Sequence, residues 1–122
     1  MDKAFEAYVP FKIAQMLNNK GFDDMFYECT RWYNIDNEEL FPSPVGRYKG
    51  CLPAPTLQMA MKWLREMHGL FIGIDYANIA GLGFTYQATI LPNGGDYSYC
   101  LHKKSYEEAC EAAIKYCFEN LI

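Results

Sequence analysis

Pro53-Ala-Pro-Thr-Leu-Gln-Met-Ala-Met-Lys-Trp-Leu-Arg-Glu-Met-His-Gly-Leu70 is a helix with its start and stop written into it, feeding directly into an apolar run. Thr56 offers a hydroxyl to the free amides of the first turn, or Pro55 occupies that turn itself, and Gly69 ends the helix. Leu57, Ala60, Met61, Leu64 and Met67 recur at i, i+3 and i+4, with Met59 and Trp63 as a flanking stripe. A broad face of this helix is therefore expected to be buried. Downstream, Leu70, Ile72, Ile74 and Tyr76 alternate as a strand. After Gly81-Leu82-Gly83, the residues Phe84, Tyr86, Ala88 and Ile90 alternate against Thr85, Gln87 and Thr89, the clearest strand pattern in the chain. Asn93-Gly94-Gly95-Asp96 is turn chemistry, and it returns the chain over residues 97–101 as a strand-like segment.

Working upstream, residues 10–22 read as a first helix. Pro10 suits its first turn, Phe11, Ala14 and Leu17 face the core, Gly21 takes the left-handed position and Phe22 folds back. Val9 offers no capping oxygen. Residues 25–33, rich in aromatics, read as a strand; with Tyr27 and Cys29 inward, Glu28, Thr30 and Trp32 point outward. Residues 33–53 form a long connection in which Arg47-Tyr48 adds a short edge strand. At the other end, Ser105 and Glu108 form a capping box, with Tyr106, Ala109, Cys110, Ala113, Cys117 and Leu121 on the buried side of a last helix. Glu111, Lys115 and Glu119 form its solvated ladder. The order α-β-α-β-β-(β)-α predicts an α+β fold: one small antiparallel sheet of three to four strands with three helices on one face, a single domain over residues 1–122.

Composition narrows the function classes. The 122 residues are 51% hydrophobic and 16% aromatic, which places the chain among ordered globular proteins. A net charge of -4 supplies no global positive field for nucleic acid or anionic lipid, and His102-Lys103-Lys104 is a short basic cluster. The acidic N-terminal residues read as no signal peptide, and no apolar run is long enough to span a membrane. Five cysteines (Cys29, Cys51, Cys100, Cys110, Cys117) are an odd number without paired spacing, which predicts reduced thiols and a cytoplasmic protein.

Three segments carry a resemblance: Lys20-Gly21-Phe22-Asp23, the block Ala54-Pro55-Thr56 through Lys62-Trp63-Leu64-Arg65-Glu66, and Ser105-Tyr106-Glu107-Glu108-Ala109 running on to the last residue. Together they resemble short uncharacterised proteins of Bacteroides-type gut bacteria and their phages and mobile elements. The shared motifs are helix caps and faces, so the resemblance implies an accessory protein and carries no catalytic residue with it.

Chemistry-bearing residues are sparse. Cys100 and His102 project to the same side of a strand and nominate a thiol-dependent hydrolase or a metal site, whose further ligands would come from Cys29, Cys51 or His68. His68 itself suits the negative end of its helix. Gly81-Leu-Gly precedes a strand rather than a helix and is no phosphate loop. Asp75 with Asp96, or Glu107 with Glu108, read as strand-end and cap residues rather than an acid-base pair. No catalytic residue, metal ligand or cofactor is assigned. The expected functional surface is the open face of the sheet or the long loop from Tyr33 to Pro53; on the face, Trp32 and Phe71 stand on a polar platform of Glu28, Thr30, Asp75, Thr85, Gln87 and Thr89. Such a face suits a protein partner or a homodimer in a non-enzymatic binding module. Single-stranded nucleic acid is the weaker alternative, because only Arg31 lies nearby.

Overall fold

The computed structural model describes residues 7–22, 29–42, 50–93, 95 and 98–122. They form an α+β fold with antiparallel sheets, and the chain divides into two compact units, Met1–Ala60 and Met61–Ile122. Two three-stranded sheets stand where the sequence predicts one.

In the first unit, α1 (Phe11–Asn19) packs against β3 (Cys51–Pro53), and the strand order is β2-β1-β3 with β1 (Arg31–Asn34) between β2 (Leu40–Pro42) and β3. The helix ends as its sequence predicts: Gly21 has φ +85°, and the Phe22 amide donates back to the Leu17 carbonyl at 3.0 Å. Ile13, Ala14 and Leu17 are its buried residues, while Phe11 lies half-buried with its ring edge-on to Tyr33 at 5.5 Å. The Tyr33 hydroxyl donates to the Val9 carbonyl at 2.6 Å. Thr56 opens α2 (Leu57–His68), its hydroxyl accepting from the Met59 amide at 3.1 Å, so the cap is the threonine. The segment before α1 lies alongside, Val9 donating to Pro55 and Leu57 to Ala7.

Trp32 corrects the sequence reading. It is 1% exposed, buried instead of outward. The strand begins at Arg31, and Trp32 sits in its middle opposite both Phe41 and Pro53, so an alternation counted from Tyr27 does not carry through. Thr30 is exposed but precedes the strand; Glu28 and the Arg47-Tyr48 pair lie outside the described residues.

In the second unit, β4 (Leu70–Ile79), β5 (Gly83–Pro92) and β6 (Tyr99–Lys103) form a meander in the order β4-β5-β6. Ten consecutive pairs, from Leu70 opposite Pro92 to Ile79 opposite Gly83, join the first two strands. The expected return strand exists, shifted to Tyr99–Lys103. Residues directly opposite share a face, so Ile72, Ile74, Ala88, Ile90, Tyr99 and Leu101 point together. Against that side packs α3 (Tyr106–Tyr116), through rings of Tyr106 on Tyr86 and Tyr116 on Tyr99. Ala109, Cys110, Ala113 and Ile114 form its buried stripe; the first three are small enough to let helix and sheet approach closely, and Ile114 fills the space between them. Ser105 Oγ accepts from the Glu108 backbone amide, the first bond of the expected capping box, and its hydroxyl donates to the Glu108 carboxylate. After Tyr116 the helix widens into a π-helical turn, Cys117–Leu121, and Phe118 stacks on Trp63 at 6.0 Å.

Three further apolar expectations shift. Met67 is 64% exposed, because it falls in the last turn of α2, Tyr106, in the first turn of α3, is 36% exposed, and Leu121 is only half-buried. Gly69 alone connects α2 to β4. Its φ is +66°, its carbonyl accepts from the Asn93 amide at 2.7 Å, and a Cβ there would stand 3.0 Å from Asn93 Cβ.

Three substitutions test this packing. Trp32→Ala is expected to lose about 3–5 kcal/mol in urea unfolding, as large-to-small changes at buried aromatics do. Trp32→Phe should lose much less, since among the described residues the indole N–H is buried without a hydrogen-bond partner and its removal costs nothing. Gly69→Ala combines a left-handed backbone with the contact to Asn93, and a loss of about 2 kcal/mol is expected in the same assay.

Candidate functional site

The meander assigns a side to every residue of the second sheet, and α3 covers one side only. The other presents five rows. Phe71 lies opposite Leu91; Gly73 opposite Thr89, with Cys100 beyond; Asp75 opposite Gln87, with His102 beyond; Ala77 opposite Thr85; and, at the hairpin end, Ile79 opposite Gly83. Phe71 and Leu91 are 42% and 47% exposed, an apolar pair standing in solvent, and the middle rows carry the polar side chains of Thr89, Asp75, Gln87, His102 and Thr85. Thr85 is tied down by donating its hydroxyl to the Lys103 carbonyl at 2.8 Å. The Gln87 amide donates to Thr89 Oγ1 at 3.3 Å and approaches the Cys100 sulfur at 3.8 Å.

Five residues expected on this face meet there: Phe71, Asp75, Thr85, Gln87 and Thr89. Trp32 and Thr30 belong to the other unit and are not part of it. The sequence reading missed Leu91, although the Thr85, Gln87, Thr89 alternation extends to it. It also left Cys100 and His102 off this face, because the pairing of β6 with β5 depends on a turn whose length the sequence leaves open.

The thiol and imidazole do project to one side, as their spacing predicts. Both are exposed, and among the described residues the sulfur's neighbour is the Gln87 amide rather than the imidazole. Among the described residues no group of three or more His, Cys, Asp or Glu is arranged to hold a metal ion. Cys110 and Cys117 lie in the core behind α3, where burial pushes their pKa up to about 11 and about 12. For Cys110 a hydrogen bond with Tyr106 opposes that rise, while Glu107 and Glu111 add to it. Burial and the neighbouring Glu108 and Glu107 also raise Glu111, so the acidic first turns of α3 repel one another.

Two other surfaces have shape. At the far end of the covered side, beyond α3, Tyr76 stacks on Phe84 at 5.4 Å and tilts against Tyr86 at 4.8 Å, with Tyr76 61% and Phe84 65% exposed. In the first unit a groove of about 320 Å³ is lined by Lys12, Gln15, Met16, Asn19, Ile35 and Leu52.

Thiol chemistry separates these environments. With a small alkylating reagent at neutral pH, Cys100 is expected to be modified in the native protein at the rate of an ordinary accessible thiol, and Cys110 and Cys117 only on unfolding. Mass spectrometry of a time course checks both; a Cys100 rate far above that of a free thiol would mark it as an activated nucleophile.

No helix among the described residues is long and apolar enough to cross a membrane. No protein-family model matches the chain, no curated protein matches its sequence and no solved structure matches its fold.

Proposed function

We propose that this protein is a small non-enzymatic interaction module, cytoplasmic in setting, whose contact surface is the open face of β4-β5-β6. One observation carries the reading: Phe71 and Leu91 form an exposed cross-strand apolar pair, next to the polar rows of Thr89, Asp75, Gln87 and Thr85, on the side of the sheet opposite the one that α3 packs against. A side on which α3 does not pack, yet which keeps two large exposed apolar side chains together, has the makeup of an interface centre with a polar rim. Asp75, Thr85, Gln87 and Thr89 supply the rim, offering hydrogen bonds that orient a partner.

The alternatives draw less support. A thiol hydrolase needs a base within hydrogen-bond reach of its nucleophile, and Cys100 has the Gln87 amide as its neighbour. A nucleic-acid platform needs cations beside its aromatics, and this face carries Asp75 but neither Lys nor Arg. An odd number of cysteines, five, fits a reducing compartment. The resemblance to short uncharacterised proteins of Bacteroides-type gut bacteria and their phages and mobile elements implies an accessory role and rests on helix caps and faces.

The test compares proteins retained from an extract of the source cells by the immobilised wild type and by a Phe71→Ser, Leu91→Ser double variant. The expected result is a defined protein held by the wild type and lost from the variant, with the melting temperature kept, since both side chains are exposed. Equal retention by both, or salt-dependent capture of single-stranded oligonucleotides in its place, overturns the reading.

A further inference from the structure

The two edges of the second sheet are finished differently. β6 has five residues and runs out into Lys103 and Lys104, and short length and cationic side chains are what keep an edge strand single. β4 has ten residues, no proline, no lysine and one charge, Asp75. It has no bulge either, because each residue from Leu70 to Ile79 has its own partner in β5.

In an antiparallel ladder alternate residues turn both N–H and C=O away from the neighbouring strand, so about half of the β4 backbone points outward. Among the described residues, the backbone bond that β4 makes beyond its ladder comes from Leu82 to the Ile79 carbonyl and closes the hairpin. Gly73, at the middle of the strand, is exposed, and glycine has only backbone to expose. Nothing among the described residues requires it: its φ is outside the left-handed region and a Cβ would meet none of their atoms within 4 Å. A glycine within a strand weakens it, and its usual reason is the close approach of another group.

We propose that β4 pairs antiparallel with β4 of a second copy of this chain, joining two three-stranded sheets into one of six strands. A two-fold axis normal to the sheet pairs residues of the same face, so it must fall between one residue and its own copy. Centring on Asp75 sets two carboxylates against each other, and centring on Gly73 sets Asp75 against the apolar ring of Phe71. Centring on Ile74 pairs Ile74 with its copy, Ile72 with Tyr76 and Phe71 with Ala77, and it places Asp75 opposite Gly73. The strand is self-complementary in that register, its one charge facing its one residue without a side chain. This self-complementarity is why the occupant is a second copy rather than an unrelated strand. The inference extends the interaction reading to an edge that the open-face contact does not use.

The register makes Gly73 the test, because a side chain there has room in the monomer and faces Asp75 only in the dimer. Sedimentation over a concentration series should show a reversible dimer for the wild type. Gly73→Asp creates two like-charge pairs and is expected to weaken that dimer about tenfold, and Gly73→Lys, which creates two opposite-charge pairs, to tighten it. Melting temperatures measured at low concentration verify that both variants fold. A monomer at every concentration, or a dimer that Asp and Lys shift equally, overturns the pairing. A monomer that still retains a protein through Phe71 and Leu91 defeats the edge pairing and leaves the open-face reading standing. A dimer that follows the Gly73 charges while the Phe71→Ser, Leu91→Ser variant retains the same proteins as wild type does the reverse.

Discussion

The ladder between β4 and β5 fixes the second unit. Ten consecutive pairs leave no residue free to choose its side, so the period of two in the sequence becomes a division between a covered and an open face. Ile90 and Ala88, both fully buried, lie on the side where α3 brings its stripe of Ala109, Cys110, Ala113 and Ile114. Burying a side chain the size of isoleucine is worth about 1.5–3 kcal/mol, and a slip of one residue would forfeit that at each inward position together. The polar threonines and glutamine of β5 face water for the same reason. The open face is thus the complement of the core, set by the same ladder.

Much of this was legible in the chain because the signals are local. Thr56 and Ser105 as caps, Gly21 and Gly69 as helix ends, and the alternation in β4 and β5 each depend on residues within a few positions of one another. Trp32 shows where local reasoning stops. An aromatic-rich segment looks like a strand wherever it begins, and its inward residues follow only once its start and neighbours are known; Arg31–Asn34 is a central strand flanked by β2 and β3, each of three residues, drawn from the proline-rich connection. Three-residue strands carry too little pattern to be read, so the first sheet stayed hidden. The open face was half legible: the residues of β4 and β5 followed from alternation, and those of β6 depended on long-range pairing.

The distribution of chemistry over the second unit is uneven in an informative way. Its two buried thiols have the high pKa values of inert core groups, and its exposed thiol sits beside an amide. The apolar material left in solvent is concentrated on the β4–β5 hairpin, as Phe71 and Leu91 on one side and Tyr76 and Phe84 on the other. Aromatic and aliphatic side chains at such positions contribute little to folding while they stay wet, and their full hydrophobic value appears only when something covers them.

Gly69, the one residue between the last turn of α2 and the first pair of β4, has a consequence for how this chain can change over time. A loop can absorb an extra residue, but a joint of one residue that is also bonded to Asn93 has no slack. An insertion there would advance the strand by one position and turn the hairpin inside out, sending Phe71 and Asp75 toward α3 and Ile72 and Ile74 into water. Descendants of this sequence are therefore free to lengthen at the Ala80 to Leu82 tip of the hairpin, and are held to their present length at its root.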